Sequence, residues 1–110
     1  MKRFRVKFPA FDYVVEVVLT DDIAKVWARM SKKHGWGDLP TPSAFHTHDP
    51  EQGKSLLVFD IEDAYPGTIA HESYHAVRRM FLARGIRADN ELVAYHLEHL
   101  VNEISLRMML

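Results

Sequence analysis

Apolar and polar residues alternate from the start of the chain. Between Phe4 and Phe8 every second residue is apolar and the intervening ones are basic, a period of two that predicts a half-buried strand. Tyr13 to Leu19, dense in valine, predicts a second strand, and Pro9-Ala10-Phe11-Asp12 turns the chain between them into a hairpin. The period then lengthens. Ile23, Val26, Trp27 and Met30 recur at helical spacing behind Thr20, a suitable N-cap, and Asp21 and Asp22, which favour a first helical turn. A helix is expected from about Asp21 to Lys33, closed by His34-Gly35, with Trp36 to Pro42 as a loop. Ala44 to His48 reads as a short strand, Asp49 to Lys54 as a turn, and Ser55 to Asp60 as a strongly apolar strand that pairs with the first of these as a second hairpin. Pro66 suits the first position of a long helix running through Ala83 to a stop at Gly85. Asp89 or Asn90 caps a last helix whose Val93, Leu97, Leu100, Val101 and Ile104 form one apolar stripe. The expected class is α+β: a mixed or antiparallel sheet of three to four strands packed on three helices.

Composition narrows this picture. A chain of 110 residues with 47% hydrophobic and 26% charged positions suits one folded domain, residues 1–110, with one substantial core. The 14 Lys and Arg are scattered among 15 Asp and Glu, which leaves no basic stripe for a phosphate backbone, so no nucleic-acid partner is expected. The longest apolar runs are a few residues and MKRFRVKF is not followed by one of signal length, so neither membrane nor export is expected and the location is read as cytoplasmic. Without cysteine, any metal must be held by His, Asp or Glu.

His71-Glu72-Ser73-Tyr74-His75 has the pattern HExxH on the second expected helix. Residues four apart stand one above the other on a helix, so two imidazoles converge on one ion with the carboxylate of Glu72 nearby. At this chain's own His and Glu frequencies, chance gives roughly 0.03 such matches per chain. The helix divides cleanly: His71, Glu72 and His75 share a sector with Thr68, Arg78 and Arg79, while Ile69, Ala76, Val77, Met80 and Phe81 lie across from it. The simpler alternative is a solvated face that happens to carry two histidines. A catalytic zinc needs three protein ligands. Glu91, opening the last helix on a face shared with Tyr95, Glu98 and Asn102, is the leading third ligand; Glu98 and His99 are substitutes, and Glu91 could instead serve only as a favourable charge in a first helical turn.

HESYH followed by a helix opening Glu91-Leu92-Val93-Ala94-Tyr95 resembles the gluzincin side of the zincin-like metallopeptidases, most of all the small HExxH proteins encoded by tailed phages and prophages. The resemblance runs from about Ser55 to Ile104. It implies a small zincin-like domain with HExxH on its second helix, a zinc ion on His71, His75 and Glu91, and cleavage of a peptide or amide bond. Glu72 would be the general base, and Tyr95, His99 or Arg79 the donor that stabilises the oxyanion. It also implies a peptide or protein substrate, lying along either Leu56 to Asp60 or Ala44 to His48, and a host-cytoplasmic location. The short chain suggests a homodimer that completes the cleft. The rival reading is a non-catalytic, metal-stabilised interaction module, a phage accessory protein that binds a host factor, with Glu98 or His99 closing the coordination shell.

The other histidines carry weaker signals. His46 and His48 alternate along a strand, would face one side, and could chelate, although such pairs are usually surface residues. His99 suits a supporting role near the ligands, and His34 a helix C-terminus.

Overall fold

Both hairpins form where the alternation places them. The structure, a computed structural model, describes residues 1–49 and 51–109; Pro50, within the expected turn Asp49 to Lys54, lies outside them. Strands β1 (Lys2–Phe8) and β2 (Tyr13–Thr20) pair antiparallel with Val6 opposite Val15, and β3 (Ala44–Asp49) and β4 (Lys54–Asp60) with His46 opposite Leu57. A single 3-10 turn at Pro9–Phe11 joins the first pair, ended by Asp12 in the left-handed region at φ 48°. The two hairpins join through their second strands. β2 runs parallel to β4, so the sheet is mixed, in the order β1-β2-β4-β3. β4 thus has a neighbour on each side, which suits its unbroken apolar run, and β3 is left as an edge.

Helix α1 (Ile23–His34) is capped by Asp22, whose side chain accepts from the Lys25 N–H. Thr20, the expected cap, instead accepts from the Asp22 N–H and shapes the approach. Gly35 ends the helix at φ 68°, a conformation that favours glycine. Helix α2 (Pro66–Ala83) begins at the expected proline. Helix α3 (Asn90–Met108) is capped by Asp89, which accepts from the N–H groups of Glu91 and Leu92. Among the described residues no helix is long and apolar enough to cross a membrane.

The sheet is covered on both faces. On one, Val6, Val15, Val17, Leu57 and Phe59 pack against Ile69, Val77, Met80 and Phe81 of α2 and Val93, Leu100 and Ile104 of α3. On the other, Val18, Phe45 and Val58 meet Ile23, Val26, Trp27 and Met30 of α1. The apolar sectors read from the helical spacing are the ones buried or half-buried against the sheet.

Tyr13 ties the first core to β4. Its hydroxyl and that of Ser55 are 2.6 Å apart, and both residues are buried. Desolvation of the phenol pushes its pKa above the usual 10.0, with the Ser55 hydrogen bond and Arg84 acting more weakly the other way. Because the folded pKa is raised, the stability tied to this proton is intact below pH 10 and is lost as pH climbs through the folded value. Tyr13→Phe should cost about 1–3 kcal/mol at neutral pH by stranding the buried Ser55 hydroxyl. The variant should also lose less stability than the parent between pH 9.5 and 11 in urea titrations. An alkaline slope equal to the parent's would remove Tyr13 as its source.

Candidate functional site

The site forms where α2 crosses the edge strand. Phe45 belongs to the α1-side cluster, so strand alternation turns His46 and His48 toward the face that α2 covers. On α2, burying Ile69, Ala76, Val77, Met80 and Phe81 rotates His71, Glu72 and His75 toward the β3 edge. His46, from the strand, and His75, from the helix, have ring centres 5.0 Å apart, and His71 lies 4.9 Å from His75. Glu72 sits among them, with one carboxylate oxygen 3.8 Å from Nδ1 of His46 and the other 3.8 Å from Nε2 of His71.

Glu72 is only 8% exposed, so it is not part of a solvated face. Desolvation raises its pKa above the usual carboxylate value, while His71 and His75 pull it down more weakly. His46 is pushed the other way, to about 4, by desolvation first and then by His75, Arg79, His48 and His71. At neutral pH His46 is therefore uncharged, and its 3.8 Å contact with Glu72 is not an ion pair; its imidazole keeps a lone pair available. Burial, and then Arg79, lower His48 as well. The Arg79 guanidinium, one turn beyond His75, acts on both strand histidines.

The expected meeting of two polar helix faces does not occur. Arg84, just past α2, donates to the carbonyls of Phe11 and Asp12, which fixes that end of α2 beside the β1–β2 turn. α3 starts at the same end: the rings of Phe81 and His96 are 5.6 Å apart, and at its far end Arg107 donates to the Arg5 carbonyl. The two helices therefore run antiparallel. From the Phe81–His96 level, His75 is six residues along α2 in one direction and Glu91 five residues along α3 in the other, which separates them by about 16 Å along the axis. Glu91 is exposed, and its backbone N–H bonds the capping Asp89. It stands in the first turn of α3, where a negative charge is favourable, and the structure does not bring it to His71 and His75. Tyr95 is 65% exposed and lines a groove with Phe8, Phe11, His96 and His99, on the β1 side of the fold. His99 packs edge-on against Phe8, 5.6 Å between ring centres, and Glu98 is exposed. Tyr95, Glu98 and His99 thus stand apart from HESYH, because α3 buries its apolar stripe against α2 and the sheet and turns its polar face outward.

Of the expected site residues, His71, Glu72 and His75 are together; His46 joins them from the strand. The alternation of His46 and His48 was visible in the sequence, but not that their strand borders α2. Among the described residues no three His, Asp or Glu side chains converge on one point as they stand. The His46 and His75 rings are parallel to within 3°, an orientation that does not aim both at one ion. Their spacing still fits a metal, since two imidazoles on one tetrahedral zinc, at bond lengths of about 2.0–2.1 Å, hold their ring centres about 5 Å apart. A groove of about 600 Å³ lies on the sheet's other face among residues such as Arg3, Glu16 and Lys54. The histidine cluster is a more open surface, with the His71 side chain 69% exposed, and suits an extended chain better than an engulfed small molecule. Comparison with protein-family models, curated proteins and solved structures found no match to this chain.

Proposed function

We propose that this protein is a zinc-dependent hydrolase of the zincin type that cleaves a peptide or amide bond. The observation that carries the reading is the buried carboxylate of Glu72 held between imidazoles on a helix that crosses an edge strand. His71 and His75 would bind the ion, which when bound lowers the pKa of a coordinated water and polarises the scissile carbonyl. Glu72, its pKa raised by burial, is poised to take a proton from water and return it to the leaving amine. Arg79, whose charge acts on His46 and His48, would be the donor for the developing oxyanion in place of the distant Tyr95. Because β4 is flanked on both sides, an extended peptide would pair with β3, along Ala44 to His48 and not along Leu56 to Asp60.

The rival, a non-catalytic module whose ion clamps two helices, called on Glu98 or His99 to close the shell. Both lie away from the cluster, on α3. A phage-encoded, host-cytoplasmic enzyme acting on a host protein is the setting that the resemblance of HESYH suggests. The first test is thermal. Adding zinc to chelator-treated protein should raise the melting temperature, by about 2.7 kcal/mol of added stability at a hundredfold excess over the dissociation constant. His75→Ala should abolish the shift. An unchanged melting curve in the native protein would remove the metal from the proposal, and the hydrolase with it.

A further inference from the structure

We propose that His46, on the edge strand β3, is the third protein ligand of the metal site. The inference rests on the metal-binding reading above and supplies what HESYH alone lacks. Its first support is spacing. His46 is 5.0 Å from His75 between ring centres and His75 is 4.9 Å from His71, so two successive gaps each match the separation of about 5 Å that imidazoles keep on one tetrahedral zinc. The second is direction. Phe45 is buried on the α1 side, and pairing of His46 with Leu57 in mid-strand holds the His46 Cβ toward α2.

The third is elimination. The site needs one more donor, and the acidic candidate, Glu91, is about 16 Å from His75 along the helix pair. His48 faces the same side of the sheet but is one pleat further on, its ring 6.4 Å from that of His46. Glu72 is nearest of all, yet it stands on the helix between the two ligand histidines, where it is needed as the base. Binding requires the parallel imidazoles to turn. The second side-chain torsion of histidine is broad, so rotating the ring of His46 or His75 out of the parallel arrangement does not require leaving a rotamer well at the first torsion.

Two consequences follow. Three neutral imidazoles leave the ion its full double charge, where a carboxylate ligand would cancel part of it, and they leave a fourth position for water. A ligand on β3 also links the ion mechanically to the strand whose open edge would hold the substrate.

The test is zinc affinity, measured by competition with a chromophoric chelator, together with the visible spectrum of the cobalt-substituted protein. Native chain, His46→Asn, His75→Asn and Glu91→Gln are compared. His46→Asn should weaken zinc binding by about a hundredfold or more, beyond the 10–100-fold typical of residues that only support a ligand, and should match His75→Asn. It should also weaken the tetrahedral cobalt absorption, whereas Glu91→Gln should bind as the native chain does. His46→Asp, which restores a donor at the same place, should recover most of the affinity, and failure to recover it overturns the inference even if His46→Asn folds poorly. Native-like affinity in His46→Asn with loss in His75→Asn overturns it while leaving the hydrolase reading intact. No binding by the native chain overturns both.

Discussion

Glu72→Gln should retain zinc and lose hydrolysis by about 10²–10⁴-fold, the usual contribution of a positioned general base. The substitution is nearly isosteric, so a side chain 11% exposed between His46 and His71 keeps its packing. What it loses is the capacity to accept a proton. The same change removes a carboxylate whose pKa burial has raised, a sign that its charged form is disfavoured where it sits. Glu72→Gln should therefore melt at or above the parent temperature when metal-free, and the pairing of unchanged or higher stability with lost turnover marks a group retained for chemistry. Peptide or amide substrates cleaved equally well by Glu72→Gln and the parent would end the mechanism. A variant that no longer binds zinc would assign Glu72 to the coordination shell instead.

Phe59→Ala should be the most damaging single change to the fold, at about 3–5 kcal/mol. Phe59 is fully buried in the strand that joins the two hairpins, and it packs in the cluster shared by β1, β2, α2 and α3. Its neighbours are held by the sheet on one side and by two long helices on the other, so the space it leaves collapses only in part. Against a total stability of about 5–15 kcal/mol, the loss is a large fraction of what holds the domain together. Leu82→Ala, 66% exposed on α2, is the control and should stay within about 0.5 kcal/mol. Urea midpoints at constant m-value decide the comparison, and a cost below about 1 kcal/mol for Phe59→Ala would contradict the packing described. Weaker zinc binding should accompany the loss, because β4 holds His46 in place through its pairing with Leu57.

The two predictions draw on different kinds of legibility. The importance of Phe59 is readable from an apolar strand run, Leu56 to Phe59, that only a strand covered on both faces can bury. The role proposed for Glu72 is readable from a five-residue pattern on one helix. Its burial is not: the helical wheel assigned Glu72 to the polar sector, and β3 covers that sector because strand pairing places the edge beneath it. Thr20 shows the same limit at small scale, since a serviceable N-cap two residues early lost to Asp22, whose carboxylate reaches the Lys25 N–H.

The sequence by itself determined what depends on local spacing. The two hairpins, the three helices with their buried faces, the proline start of α2, the glycine end of α1 and the conjunction of His71, Glu72 and His75 all follow from periods of two or 3.6 and from a few backbone-restricted residues. Only the tertiary structure decided what depends on which elements become neighbours. Strand periodicity says which residues share a face but not that β2 would pair with β4, so it could not show that β4 is interior and β3 is the free edge. Helical periodicity says that α3 has a polar face but not where that face points. Once the apolar stripe of α3 packed on α2 and the sheet, Glu91 and Tyr95 were carried to the far end and outward, and His46, twenty-nine positions from His75 in the chain, became the histidine beside the motif. Contacts between distant segments are fixed by how the whole core closes, and that closure is not written in any single window of the chain.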